Sequence, residues 1–173
     1  MRIYLTNLGK YNEGELVGRW LSLPCSDIEL ESALQAISVS SDGEYQEYFI
    51  TSYETSTGLA IGEYDRLDDL NEIAGRIDGL DTHELMTLQA IIEHEAPDVS
   101  AVGEILDRLD EYQLYEGIGS DEALGSYWLY ESGCYDLSVM GTLSEYIDCE
   151  SFGRDMRLNS SGNYTANGWL ECS

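Results

Sequence analysis

His83 and His94 are the only imidazoles in this 173-residue chain. They stand eleven positions apart, about three turns if a single helix carries both. A zinc-protease motif needs a second histidine one turn on, and His94-Glu95-Ala96-Pro97-Asp98 lacks it. No Gly-x-Ser-x-Gly elbow presents a nucleophile. Gly117-Ile118-Gly119-Ser120-Asp121-Glu122 starts like a dinucleotide loop, but Glu122 occupies the place of the third glycine and would repel a pyrophosphate. Cys25, Cys134, Cys149 and Cys172 are scattered without a Cys-x-x-Cys pair. With no export signal, they read as free thiols in a reducing cytoplasm. Carboxylates are the one abundant chemistry. By residue type they leave a glycosidase pair or a calcium site open, but with so many, two fall close together by chance, and Asp42-Gly43-Glu44 alone is a weak calcium signal. The expectation is a chain with no catalytic residues, no metal and no cofactor.

The acid excess itself is the strongest signal. Asp and Glu number 34 against 8 Lys and Arg, for a formal net charge of −26. A nucleic-acid binder needs a basic face to neutralise phosphate, so that class is excluded. A polybasic membrane anchor is excluded for the same reason, and no apolar run is long enough to span a bilayer. Divided at Gly62 and Gly103, the portions carry −6, −9 and −11, so no single acidic tail holds the charge. Apolar residues make up 43% of the chain, enough to build a core and to argue against disorder. Across a globule about 40 Å wide, the net charge amounts to about one per 1.5 Å. Duplex DNA carries one per about 1.7 Å.

The elements that must hold these acids are legible in outline. Residues 1–62 read as α+β: a strand over Arg2–Asn7, a helix over Asn12–Leu21, and a strand over Tyr48–Tyr53. Between them, Ser26-Asp27-Ile28-Glu29 is a capping box opening a helix with Ile28, Leu30, Leu34 and Ile37 inward. Residues 63–103 read as helical, with Asp65 capping a helix that buries Leu67, Leu70, Ile73, Ala74 and Ile77. Two more helices follow, one from Asp81 to before Pro97 and one carrying Val102, Ile105, Leu106 and Leu109. Residues 104–173 return to α+β. There we expect a strand at Tyr112–Tyr115, a helix capped by Ser120, helical turns over Thr142–Leu158 and a hairpin at Asn167-Gly168.

Asp65, Asp68, Asp69 and Glu72 place like charges at i,i+3 and i,i+4, and Glu104, Asp107, Asp110 and Glu111 repeat the pattern. Each such pair costs its helix about 0.2–0.5 kcal/mol. Repetition of that cost in every portion points to a surface built for a cationic partner. The acids expected to face it are those eight together with Asp81, Glu84, Glu116, Asp121 and Glu122. Thirteen tyrosines against two phenylalanines, several interleaved with acids, add rings on which arginine can stack.

Four blocks resemble the ArdA antirestriction family. They are the opening Arg2–Gly18, Glu47-Tyr48-Phe49-Ile50-Thr51-Ser52-Tyr53-Glu54, Leu67-Asp68-Asp69-Leu70-Asn71-Glu72, and Glu145-Tyr146-Ile147-Asp148-Cys149-Glu150-Ser151-Phe152-Gly153-Arg154-Asp155. The last is similar to the family's antirestriction motif, which assigns Glu145, Tyr146, Asp148, Glu150, Gly153, Arg154 and Asp155 to it. The resemblance implies an elongated chain of three small subdomains (α+β, all-helical, α+β) with a highly acidic surface, usually paired as a homodimer. It implies a non-enzymatic, cytoplasmic protein encoded by mobile elements. Such a protein mimics bent DNA and occupies the DNA groove of the methyltransferase core of Type I restriction-modification enzymes. Arg154 and Arg157 beside the motif are expected in internal ion pairs or at the dimer contact. The rival readings are an acidic adaptor for another basic DNA-binding protein, or a halophile-type acidic domain with carboxylate catalysis. A halophilic domain unfolds when salt is withdrawn. We therefore expect the helical circular-dichroism signal of this chain to persist in dilute buffer, and its loss there would favour the halophile.

Overall fold

The structure is a computed structural model and describes residues 1–172. The chain is α+β and divides into two compact units. Residues 1–81 and 96–107 form the first, and residues 82–95 with the remainder from 108 form the second. The helices read as a central subdomain are shared between them.

In the first unit, strand β1 (Arg2–Asn7) lies between β2 (Gly18–Ser22) and β3 (Tyr48–Glu54), antiparallel to both. Ile3 and Leu5 point into the core, where Leu21, Phe49 and Ile50 are also buried. Asn7 ends the strand and begins helix α1 (Leu8–Asn12). Its side-chain oxygen accepts the Lys10 amide at 2.9 Å while its amide nitrogen donates to the Ile37 carbonyl at 2.9 Å, so a fully buried polar side chain is satisfied at both ends.

Two expectations here are corrected. The helix expected over Asn12–Leu21 is the shorter α1 followed by β2, because the Asn7 cap starts the helix early and Gly14, at φ +89°, ends it. The Leu16, Val17, Trp20, Leu21 spacing is overridden by pairing with β1, which sets Trp20 opposite Tyr4 and Leu21 opposite Ile3. In helix α2 (Asp27–Ala36) the capping box is formed, Ile37 beyond its end is buried as expected and Leu30 and Leu34 are half-buried, but Ile28 is 79% exposed and Ala33 is buried in its place.

Helix α3 (Leu67–Asp78) buries Leu67, Leu70, Ile73 and Ala74 and packs on α5 (Val99–Asp107), which buries Val99, Val102 and Ile105. Asp65 does not cap α3, whose N-cap is Arg66 without a side-chain bond. Its carboxylate instead accepts the Gly62 amide at 2.7 Å and closes the preceding turn.

In the second unit, β6 (Gly168–Cys172) lies between β4 (Tyr112–Glu116) and β5 (Asn163–Thr165), all antiparallel. The expected hairpin is present, with Ala166-Asn167 as its two-residue loop. Helix α4 (Thr82–Glu95) packs against this sheet, which explains why it leaves its sequence neighbours. Asn167 donates to the Met86 carbonyl at 2.9 Å and to Gln89 at 3.0 Å, and the Ala166 amide donates to Glu93 at 2.9 Å. Trp169 is fully buried with Ile118 and Leu124.

Helix α6 (Asp121–Ser126) continues through a π turn at Tyr127–Glu131 and packs tightly on α7 (Cys149–Asn159). A β-carbon on Gly125 would land on the Cys149 carbonyl, and one on Gly153 would land on the Asp121 carbonyl. Both neighbours are backbone, so neither can swing aside. Between α6 and α7, a 3-10 segment (Leu137–Tyr146) is broken at Gly141, φ +53°, where a regular helix was expected from Thr142. Gly153→Ala should destabilise the chain by about 3 kcal/mol or more, beyond the usual 1–3 for overpacking. Urea denaturation measures this, and a change under about 1 kcal/mol would contradict the backbone-on-backbone crossing.

Candidate acidic interface

None of the 34 carboxylates is buried: Asp65, Asp121 and Glu171 are half-buried and the rest are exposed. Among the described residues, six of the eight Lys and Arg side chains are seen in ion pairs with acids of the chain. These are Arg2–Glu54, Lys10–Glu15, Arg66–Asp68, Arg76–Asp107, Arg108–Glu111 and Arg157–Asp121. The acid excess therefore stays at the surface, and most of the few cations pair there with acids of the same chain.

Within the first unit, the core stripe of α3 leaves Asp68, Asp69 and Glu72 exposed. Glu72 lies one turn from Asp68 and Asp69, so the three share one side of the helix. On α5, Glu104 and Asp107 are exposed, and Asp107 is tied to Arg76 at 2.6 Å. Asp81 is exposed near the end of this unit's first stretch. Asp65 is half-buried, and one of its oxygens accepts the Gly62 amide.

Within the second unit, Glu84 is exposed in the first turn of α4, and Asp110 and Glu111 are exposed ahead of β4. Glu116 lies 2.6 Å from His83 Nδ1, while His94 Nε2 faces Asn163 at 3.1 Å. The two histidines thus attach α4 to different neighbours. Among the described residues no cluster of three or more His, Cys, Asp or Glu could hold a metal. Asp121 and Glu122 open α6 beside Glu150, Arg157 and Tyr164, around a depression of about 810 Å³. Asp121 takes Arg157 Nε at 2.8 Å, its Nη2 at 3.1 Å and the Tyr164 hydroxyl at 2.8 Å. These donors hold the Asp121 carboxyl below its ordinary value, and burial with the Asp121 contact pushes the Tyr164 phenol well up. Asp121 is a fastener between α6, α7 and β5.

The antirestriction-like segment divides by role. Asp148 caps α7, accepting the Ser151 amide at 3.0 Å and hydroxyl at 2.7 Å, which holds its carboxyl below the usual range. Gly153 makes the close helix crossing. Glu145, Tyr146, Glu150, Arg154 and Asp155 are exposed, and Tyr146 is 84% so. Arg157 makes the internal pair expected of it, whereas Arg154 donates to the Ser151 hydroxyl at 3.3 Å. Sequence reading missed Tyr164 and the Gly125–Gly153 crossing, because partners 43 and 28 positions apart leave no periodic trace.

These features define an acidic α+β protein whose chemistry lies in carboxylates held at its surface. No helix among the described residues is long and apolar enough to cross a membrane. A family model described as antirestriction protein (ArdA) matches residues 3–171, and the chain belongs to that family. A search of curated proteins returns no match.

The Asp121 contacts carry a pH signature. Its folded value lies below the unfolded one near 3.9, so its stabilisation is complete above about pH 4 and is lost as pH falls through the depressed value. Asp121→Asn should lower the thermal midpoint at pH 7, with the gap to the parent narrowing from pH 4 to pH 2. A constant gap would show that the carboxylate is not the source.

Proposed function

We propose that this protein is a DNA mimic that occupies the DNA-binding groove of Type I restriction-modification enzymes at their methyltransferase core and blocks them without catalysis of its own. Membership of the antirestriction family supports the target class. The observation that carries the mimicry is the placement of the charge: every acidic residue reaches solvent while most of the few cations pair with acids of the same chain. A groove that binds DNA has a positive potential, which steers a polyanion on encounter. Exposed acids one helical turn apart, as on α3, are spaced about 5.4 Å and can take the places of phosphates. Affinity then arises from many weak charge pairs and released counterions, with no base reading.

The active form in this reading is a cytoplasmic homodimer. The 3-10 segment supports it: Val139, Met140, Leu143 and Tyr146 are all exposed, and Val139 is 84% so. So apolar a strip in so acidic a chain, with Glu145 its single acid, suits a self-contact, where a second −26 partner approaches best through the least charged surface.

Titration of the protein into a complex of duplex DNA with a Type I methyltransferase should displace the DNA near stoichiometry. The apparent affinity should fall by about tenfold or more between 50 and 200 mM salt. Single changes such as Asp69→Ala should alter potency less than about fivefold, as expected of one exposed charge pair. An enzyme indifferent to the protein would remove the proposal, and so would complete loss of inhibition in a folded Asp69→Lys variant.

A further inference from the structure

Among the second unit's surfaces, a recess of about 620 Å³ lies beside β4 and the end of α6. Its apolar wall is made by Tyr115 and Tyr127, whose ring centroids lie 5.2 Å apart and 60° inclined. Both rings are half-buried and pack against Ile118, Leu124 and Trp169, so their orientation is held by the core beneath. Glu116 and Glu131 line the same recess and are exposed. His83 stands at its edge against Glu116, and neither lysine nor arginine lines it.

From this geometry we infer that the recess receives an arginine side chain of the partner enzyme, with its guanidinium against the tyrosine rings and its charge met by Glu116 and Glu131. Two carboxylates without a lining cation repel phosphate and other anions. The rings add attraction that a simple point charge would use poorly. A guanidinium is planar and weakly hydrated, and it stacks on an aromatic face while bonding carboxylate oxygens through its edge. The ammonium of lysine is compact and strongly hydrated, and it gains less from the rings. The larger depression at Asp121 differs in that it already contains a guanidinium, that of Arg157, bonded to its own acid. The identity of the partner rests on the mimicry proposed above. What the recess adds is one site of side-chain selectivity on a surface otherwise read as unselective charge.

The test uses N-acetyl-arginine methylamide titrated into the full-length protein, with N-acetyl-lysine methylamide in parallel, while the ring resonances of Tyr115 and Tyr127 are followed by NMR. The arginine probe should shift both rings saturably, and the lysine probe should bind at least about fivefold more weakly. Glu116→Gln/Glu131→Gln should weaken the arginine probe about tenfold. Asp42→Asn/Asp78→Asn, which removes the same charge from exposed positions of the other unit, should not. Tyr127→Leu keeps an apolar group over the core and should weaken the arginine probe while leaving lysine nearly unchanged. No saturable shift, equal response to both probes, or equal loss in the Asp42/Asp78 variant would overturn the inference. This measurement needs no restriction enzyme. Failure here with intact DNA displacement removes the recess alone, and arginine binding without displacement removes the mimicry alone.

Discussion

Thirty-four carboxylates must be accommodated with eight cations, and most features of this structure answer to that imbalance. Ion pairing cannot solve it, so neutral donors take the remaining work. The Ser26 amide meets Glu29, the Gly62 amide meets Asp65, the Ala101 amide meets Asp98 and the Ser151 amide meets Asp148. Tyrosine hydroxyls reach Glu13 from Tyr45 and Asp121 from Tyr164, and the Trp169 indole donates to Glu171. The hydrogen bond to Glu13, with burial and the nearby charges of Glu13, Glu44 and Glu15, pushes the Tyr45 phenol up to about 12. The abundance of tyrosine over phenylalanine thus has a structural use: rings that pack and also carry a donor to a nearby acid.

The same imbalance explains where the acids stand along the helices. Helices α2, α3, α4, α6 and α7 all carry acidic residues in their first turn. There the positive end of the helix favours a carboxylate by about 0.3–1 kcal/mol. That gain is comparable to the roughly 0.2–0.5 kcal/mol lost to each like-charged neighbour one turn away. Acids at helix starts can therefore be dense without unwinding the helices that display them, and the apolar stripe of α3 keeps its charged side outward.

A surface of this kind attracts any cationic groove, and steering alone does not choose among partners. Selectivity then has to come from shape and from the few places where charge is combined with something else. The recess walled by Tyr115 and Tyr127 combines carboxylate with ring, and the strip at Val139–Tyr146 exposes four large apolar side chains around a single acid, Glu145. Both belong to the second unit, which also contains the antirestriction-like segment. Part of that segment is scaffold: Asp148 starts α7 and Gly153 lets α7 meet α6 backbone to backbone, so its acids depend on a crossing that no side chain could make.

Much was readable from local sequence. The Ser26 capping box, the α3 stripe from Leu67 to Ala74, the closing of α4 before Pro97 and the C-terminal hairpin each depend on neighbours within a few residues, and all are present, the hairpin loop falling one residue before the expected Asn167-Gly168. The acidic character needed only counting. What failed did so where a distant strand or helix outweighed a local pattern. Trp20 and Leu21 follow a helical spacing, yet pairing with Tyr4 and Ile3 makes them strand. Asp121 and Asp65 also bond within the fold, to Arg157, Tyr164 and the Gly62 amide, contacts that no local pattern showed. Sequence by itself determined that the chain is acidic throughout, that it folds as α+β and which family it resembles, because composition and short-range periodicity survive in one dimension. Only the tertiary structure decided which carboxylates serve the fold and which face outward, because a carboxylate's role depends on donors brought close by chain segments far away in sequence.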